Sequence, residues 1–363
     1  MENKLKQARE IINKVDKEMA KLFEERMKAS QMVAEYKQAH GLEILDAKRE
    51  AEVIKNNSAY VEDEKIRGYY VNFLKSTMQI SRSYQAELLE GMRVAYSGTE
   101  GAFAHIATTK LFPTAKKIAY GNFDSAYKAV ENGECDVVVL PIENSYNGEV
   151  GQVTDLLFSG SLYVNGVYDL DVSHNLLGTK DATINDVKTV VSHSQALGQC
   201  NEYIKEHGFA GIEYVNTALA AKYVAEKNDK TMGAIASIET AEIFGLKILE
   251  KNVNASKNNA TKFLILSRAE RKYSLKEMGV HTILLFTVKN QAGALAKAIE
   301  VVGRHGFNMR TLRSRPMKEL LWQYYFYIEA EGNVNTQEGE DMMKELSLYC
   351  DRLKSIGTYV KEK

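Results

Sequence analysis

A chain of 363 residues with 45% hydrophobic and 26% charged residues can build about two or three globular domains, and this composition excludes a disordered protein. Its 47 basic and 48 acidic residues leave a formal net charge of -1, so no global field gathers nucleic acid or an anionic membrane, and any anionic ligand must be drawn by local cations. The opening MENKLKQARE lacks the apolar core of a signal peptide and no apolar run is long enough to span a bilayer, which predicts a cytoplasmic protein. Cys135, Cys200 and Cys350 stand far apart, with neither a C-x-x-C pair nor zinc-ligand spacing; reduced thiols and no structural metal are expected.

The first ninety residues read as nearly continuous helix. Ile12, Val15, Met19, Leu22 and Phe23 recur at helical spacing and should face a bundle core. Charged residues opposite such a stripe are ordinarily just a solvated face. Here, however, they sort by angle: at ~100° per residue Arg26 and Lys37 fall within roughly 20° of each other, while Arg9 points roughly 100° away from Arg26. One face therefore offers two cations to a single ligand, and Arg9 serves elsewhere. Asp46, Arg49 and Glu50 follow at i, i+3 and i+4 on a second helix, and Ser81 and Gln85 at i, i+4 on a third.

After Gly91 the composition shifts to short β-rich runs alternating with helical ones. RVAY, CDVVVLP, SLYVNGVYDL, VKTVVS, IEYVN, MGAIAS and KFLILS read as strands, which predicts an α/β domain over residues 92–270, closed by a polar boundary in RAERKYSLKEMG. CDVVVLP reads as a buried strand ending in proline. It runs into Glu143, Asn144, Ser145 and Gly148, polar groups at the carboxyl edge of a parallel sheet, where ligands bind; a loop capping the next helix through Asn144 or Ser145 is the alternative. SGTEGAFAH is a glycine-punctuated turn from strand to helix with free backbone N–H groups. SHSQALGQC, from Ser192 to Cys200, follows a strand in the same way, and its His193 reads as a structural histidine bonding loop backbone. NNATKFLIL places Thr261 and Lys262 just before the last strand of the domain.

The final segment, 279–363, reads as β-α-β-β-α-β: alternation from His281, a helix from Ala292, strands near Met309 and Trp322, a helix after Asn335 and a strand near Tyr359. This is the order of a ferredoxin-like α+β sandwich. Gly293 at a strand-to-helix turn would free N–H groups for a carboxylate, with Asn308 as a side-chain partner; alternatively Gly293 only opens a helix and Leu295 packs beneath it.

The segments LKQARE through VDKEMAKLFEERMKASQMVAEYK and LDAKRE to SRSYQ resemble the all-helical chorismate mutase domain of the bifunctional chorismate mutase/prephenate dehydratases, the P-protein family. The resemblance implies that residues 1–90 form this domain and that two chains exchange first helices, so that Arg9 enters the partner's site. It further implies that Arg9, Arg26 and Arg49 grip the carboxylates of chorismate, Lys37 and Gln85 bond its ether oxygen, and Glu50 with Asp46 holds the ring hydroxyl. Ser81 joins the set, although a helical serine ordinarily bonds its own backbone. A pericyclic rearrangement needs no nucleophile, proton shuttle or cofactor, and none is expected.

The middle segments resemble, over their whole length and in order, the prephenate dehydratase domain, a two-lobed α/β fold like a periplasmic binding protein with its site in the cleft. By this resemblance Thr261, the threonine of T-R-F, contacts the departing hydroxyl, while Glu143, Asn144, Ser145, Ser192, His193, Gln195, Thr217, Lys262 and Phe263 bind substrate or shape the cleft. The chain departs from the pattern at Lys262, where the family has arginine, at Ser194 in place of proline, and at Ala102, where a hydroxyl residue is common.

The last segment, with GALA at Gly293 to Ala296 and RSRP at Arg313 to Pro316, resembles the regulatory ACT domain. There the motifs GALV and ESRP bind phenylalanine between paired domains. Gly293, Ala294, Leu295, Asn308, Arg313 and Ser314 are the implied effector contacts, with Arg313 reversing the charge of the family's glutamate. The implied whole is a homodimer or higher oligomer acting on chorismate and prephenate, with no nucleic-acid or membrane partner. Two alternatives are a mutase fused to a non-catalytic amino-acid sensor and a middle domain acting on arogenate.

Overall fold

The structure, a computed structural model, describes residues 2–255, 258–273, 278–317 and 323–362. It falls into two compact units, residues 1–93 with 133–135 and residues 94–132 with 136–363. The first unit consists of the helices α1 (Glu2–His40), α2 (Ala47–Ser58) and α3 (Glu64–Glu90). Aspartates begin the shorter two: Asp46 accepts the Arg49 N–H at 2.9 Å and Asp63 accepts the Lys65 N–H at 2.8 Å, satisfying amides that the first turn leaves open.

Only the second half of α1 packs on α3, burying Ser30 and Ala34. The stripe expected to face a bundle core does not do so in one chain. Ile12, Val15, Met19, Leu22 and Phe23 are 42% to 63% exposed, because neither α2 nor α3 of the same unit covers this half of α1. Helical periodicity reports an apolar face and says nothing of which chain covers it.

In the second unit β1 (Arg93–Ser97), α4 (Phe103–Leu111), β2 (Lys116–Tyr120), α5 (Phe123–Glu131), β3 (Val137–Asn144), β4 (Gly148–Glu149), α6 (Gly151–Ser159) and β5 (Tyr163–Asp171) build a first lobe. The chain then forms a second lobe from β6 (Asn175–Gly178), β7 (Thr189–Ser192), α7 (Ser194–Gln199), α8 (Asn201–Glu206), β8 (Ala210–Glu213), α9 (Thr217–Lys227), β9 (Met232–Ala236), α10 (Ile238–Phe244) and β10 (Lys247–Glu250). It returns to the first lobe as β11 (Ala260–Ser267). The closing elements are β12 (Val280–Thr287), α11 (Ala294–Arg304), β13 (Asn308–Pro316), β14 (Tyr324–Glu331), α12 (Gln337–Leu346) and β15 (Arg352–Glu362), in ferredoxin-like order.

The second lobe is a five-stranded sheet ordered β10-β6-β9-β7-β8. The first lobe and the C-terminal elements share one sheet, ordered β13-β14-β12-β15-β5-β11-β3-β1-β2, with β4 paired to β3. The junction is made by the end of β15, which runs parallel to β5 with Lys361 beside Val167. Gly357 permits it. At φ 130° its backbone lies so near β5 that an added Cβ would sit 2.2 Å from the Val164 carbonyl oxygen.

Three features differ from the sequence expectations. The IEYVN strand stops at Glu213, because Asn216 instead caps α9 by accepting the Leu219 N–H at 2.7 Å. The strand expected to end at Pro141 continues to Asn144. Against β11 the register shifts there, Phe263 facing Pro141 and Lys262 facing Glu143, so Ile142 is an extra residue and the proline, which has no N–H to donate, sits at the bulge. Thr261 and Lys262, expected just before the last strand of the domain, lie inside it, since β11 begins at Ala260. Trp322, near which a strand is expected, lies outside the described residues, as do residues 274–277 of the boundary segment.

Candidate active site

In the helical unit, Arg26 of α1 donates to the Ser81 hydroxyl and to the Thr77 carbonyl at 3.4 Å, and burial lowers its pKa. Ser81 also donates to the Thr77 carbonyl at 3.0 Å, the backbone bond expected of a helical serine. One turn along the same face of α3, Gln85 is buried and its Oε1 has no partner among the described residues, so it retains hydrogen-bonding capacity. Lys37 donates to the Ile44 carbonyl.

Glu50, half-buried, pairs with Arg82, a residue the sequence reading did not single out although it lies inside SRSYQ. One oxygen of Asp46 is committed to capping α2, and Arg49 is exposed and pairs with Glu52 at 3.3 Å. Arg9 is exposed and has no polar partner among the described residues. One chain thus brings Arg26, Ser81 and Gln85 together and leaves Arg9 and Arg49 outward.

In the second unit a cavity of about 290 Å³ opens between the lobes. Asn144 and Thr261 line it from the first lobe, His193, Gln195, Gln199, Asn216 and Thr217 from the second, and Val172, His174 and Asn259 from the two crossings between them. Asn144 is oriented by its own loop: its Oδ1 accepts the backbone N–H groups of Tyr146 at 3.0 Å and Asn147 at 2.9 Å. Its Nδ2 must then face the other way, donating to Asn259 Oδ1 at 2.8 Å, to the Ala260 carbonyl at 3.1 Å and to Thr261 Oγ1 at 3.0 Å. The Thr261 oxygen therefore accepts from an amide, and its own proton remains available to the cavity.

The same chain of amides continues inward. Asn259 Nδ2 donates to Gln199 Oε1 at 2.9 Å, and His174 Nε2 lies 2.8 Å from that oxygen. An amide oxygen only accepts, so Nε2 carries the proton. Nδ1 of His174 is buried with no partner among the described residues. Burial depresses the pKa of this histidine more than the Gln199 bond raises it, and the ring stays neutral. Sequence reading missed His174, Gln199 and Asn259; Gln199 stood in SHSQALGQC and Asn259 in NNATKFLIL, but a lone histidine between strands carried no signal.

His193 caps α7, its Nδ1 accepting the Gln195 N–H at 3.3 Å. Five of the predicted contacts lie outside the walls of the cavity. Ser192 is fully buried and donates to the Ile235 carbonyl at 2.6 Å, Ser145 donates to the Asn258 carbonyl at 3.0 Å, and Phe263 is packed in the core with Val94, Val139 and Leu170. Glu143 and Lys262, a register pair beside Asn144 and Thr261, bond instead to Arg313 and Glu329. The reason is strand geometry, since consecutive side chains leave opposite faces.

In the C-terminal elements Gly293, at φ 79°, opens α11, and Leu295 packs on the local core while lining a cavity of about 350 Å³ with Val288, Asn290, Tyr324, Phe326 and Asp351. Asn308 donates to Glu331 at 2.8 Å, Arg313 pairs with Glu143, and Ser314 is exposed on β13. Of the six implied effector contacts, Gly293, Ala294, Asn308, Arg313 and Ser314 do not line that cavity and Leu295 does.

Residues 8–86 match the family model of chorismate mutase type II, and residues 94–271 match that of prephenate dehydratase. A bifunctional chorismate mutase/prephenate dehydratase of Buchnera aphidicola is 30% identical over 370 residues, covering 98% of this chain and 96% of its own. Among solved structures, GqqA, titled a novel type of quorum quenching acylase, is 31% identical with a TM-score of 0.69, over 74% of this chain and 98% of that one. The prephenate dehydratase of Arthrobacter aurescens in complex with L-Phe shares the fold at 23% identity, with a TM-score of 0.68 over 74% of this chain and 90% of that one.

A neutral buried His174 has a stability signature. Its folded pKa lies below the ordinary value of 6.5, so the unfolded chain binds the proton first as pH falls, and stability present above about pH 6.5 is lost on acidification. Denaturant titrations of the wild type and His174→Gln at about pH 7.5 and about pH 5.5 should show a shallower loss in the variant. Equal losses would contradict the neutral assignment.

Proposed function

The chain belongs to the family of bifunctional chorismate mutase/prephenate dehydratases, and from that premise we propose how its own residues divide the two reactions. It rearranges chorismate to prephenate and converts prephenate to phenylpyruvate, carbon dioxide and water. We assign residues 1–90 to the first step, 92–270 to the second and 279–363 to regulation.

The first step is a pericyclic shift, so the site has only to hold the reactive conformer and stabilise negative charge growing on the ether oxygen. Arg26 and Arg49 suit the two carboxylates through their planar forks, Lys37 and the Gln85 amide the ether oxygen, and Glu50 the ring hydroxyl. The site needs Arg9 of a second copy. The exposed stripe from Ile12 to Phe23 supports this, because exchanged first helices would cover it.

In the second step the C–O bond to the ring hydroxyl and the bond to the ring carboxylate both break, and the electrons released with carbon dioxide aromatise the ring. Hydroxide is a poor leaving group unless a donor meets it. The observation that carries the proposal is the Asn144 amide bond to Thr261 Oγ1, which leaves the threonine proton free to donate to a ligand in the cavity. It also weighs against acyl transfer, the activity for which GqqA is named an acylase: a nucleophilic hydroxyl needs a base beside it, and Asn144 supplies a donor. His193, Gln195 and Thr217 would hold the retained part of the substrate.

The C-terminal elements are proposed as an ACT domain binding phenylalanine at Gly293, Ala294 and Leu295, supported by the L-Phe in the A. aurescens dehydratase. Titration calorimetry should detect phenylalanine binding to the full chain, and absence of heat at saturating ligand removes this assignment.

Supplied with chorismate, the wild type should release phenylpyruvate. Thr261→Val should accumulate prephenate, its second step slowed by at least about a hundredfold, and Arg26→Ala should lose the first step while still consuming prephenate. Loss of both steps in either folded variant contradicts separate sites, and preferential consumption of arogenate selects the arogenate alternative. Mixing Arg9→Ala with Arg26→Ala chains should restore mutase activity, since one site of each mixed dimer then has both arginines intact; no recovery on subunit exchange argues against a shared site.

A further inference from the structure

Two motif positions at which this chain departs from its family, Lys262 and Arg313, meet at one junction. Beyond the bulge at Ile142, only Glu143 and Asn144 continue β3, paired with Lys262 and Thr261 on one side and with Glu149 and Gly148 on the other. This two-residue tongue presents Asn144 to the cleft and Glu143 to the C-terminal sheet. There Glu143 pairs with Arg313, whose side chain is 13% exposed and whose guanidinium lies 5.5 Å from the Tyr327 ring centroid. Next to it Lys262 meets Glu329 at 3.4 Å, and Glu329 also accepts the Tyr359 hydroxyl at 2.6 Å.

We propose that Arg313 is a positioning residue of the dehydratase step, acting from the C-terminal sheet through Glu143 on Asn144 and so on the Thr261 hydroxyl. The pair is more than a surface bridge. The other terminal nitrogen of Arg313 is buried with no partner among the described residues, so Glu143 is the carboxylate that balances this guanidinium. Without it the tongue keeps its few strand bonds but loses the anchor on its outer face. Asn144 can then tilt, and a small tilt redirects a hydroxyl proton that must meet a departing oxygen. The charge reversal at Arg313 thus reads as a gained contact of this chain, and the link gives the C-terminal elements a route to the cleft that touches no ligand.

The inference rests on the dehydratase reading, and the test separates the two. In the full-length chain, Arg313→Met should lower kcat with prephenate by about tenfold to a hundredfold with little change in KM, leaving the mutase rate at its wild-type value. Glu143→Arg combined with Arg313→Glu should recover most of what either single change loses. Hydrogen exchange should quicken in Arg313→Met at the amides of Tyr146 and Asn147, which hold Asn144, whether or not prephenate turns over. A wild-type chain that leaves prephenate untouched refutes the dehydratase reading, and the exchange measurement still decides the positioning role. Unchanged kcat and unchanged exchange in Arg313→Met overturn the inference, as does a charge-swapped pair no better than the single variants.

Discussion

The register of β11 against β3 is the constraint on which the rest of the second unit depends. Thr261 faces Asn144 and Lys262 faces Glu143, and a strand sends consecutive side chains to opposite faces. One pair therefore points into the cleft and the other to the C-terminal sheet. A slip of β11 by one residue would turn Lys262 into the cavity beside Asn144 and send the Thr261 hydroxyl to the face of Arg313 and Glu329. The bulge that lets Pro141 stay in a central strand also sets this register. Structure and chemistry share one irregularity.

The two units solve the problem of a polar interior differently. The cleft holds a series of donors and acceptors running from His174 through Gln199 and Asn259 to Asn144 and Thr261, each bond's direction following from the last, with His174 Nδ1 and the Thr261 proton left open at its ends. An unmade buried bond costs about 1–3 kcal/mol whereas a made one contributes only about 1, so such a series holds its members in place chiefly because every alternative is worse. The helical unit is the opposite case. Its buried Gln85 oxygen has no partner among the described residues, Arg9 and Arg49 are exposed, and an apolar stripe lies open. In the proposed reading, a ligand and a second copy complete what the helical unit leaves open.

Much of this was legible in the sequence, and the gaps have physical causes. The order of C-terminal elements followed from alternation and turn signals, and motif segments supplied Asn144, His193, Gln195, Thr217 and Thr261, all of which line one cavity. Glu143, Lys262 and Phe263 could not be told from them, because a motif names neighbours in the chain while a strand separates neighbours in space. Placing them needed the bulge, which pattern alone does not reveal. His174 and Asn259 were missed for a related reason: both lie where the chain crosses between lobes, and their pairing through Gln199 joins positions 60 and 25 residues apart. The α1 stripe was visible, but what covers it is not a property of one chain's pattern.

Under the proposed division of the two reactions, the distribution of charge has a physical reason. Chorismate keeps both carboxylates through its rearrangement, so cations that grip them equally in ground and transition states cost the step nothing and hold the geometry. Prephenate loses its ring carboxylate as neutral carbon dioxide. A cation bonded to that group would be strongest before the reaction and would weaken as charge leaves, raising the barrier. The described walls of the cleft carry no lysine, arginine, aspartate or glutamate. Lys262, the cation nearest Thr261 in sequence, is turned away and neutralised by Glu329. Under the dehydratase reading, walls of amides, hydroxyls and imidazoles with no carboxylate, lysine or arginine among them would solvate a carboxylate less well than water does and so favour its departure, while the Thr261 hydroxyl would meet the oxygen on which charge grows. Lys262, which the resemblance put among the substrate contacts, thus adds no positive charge to the walls from which a carboxylate would leave.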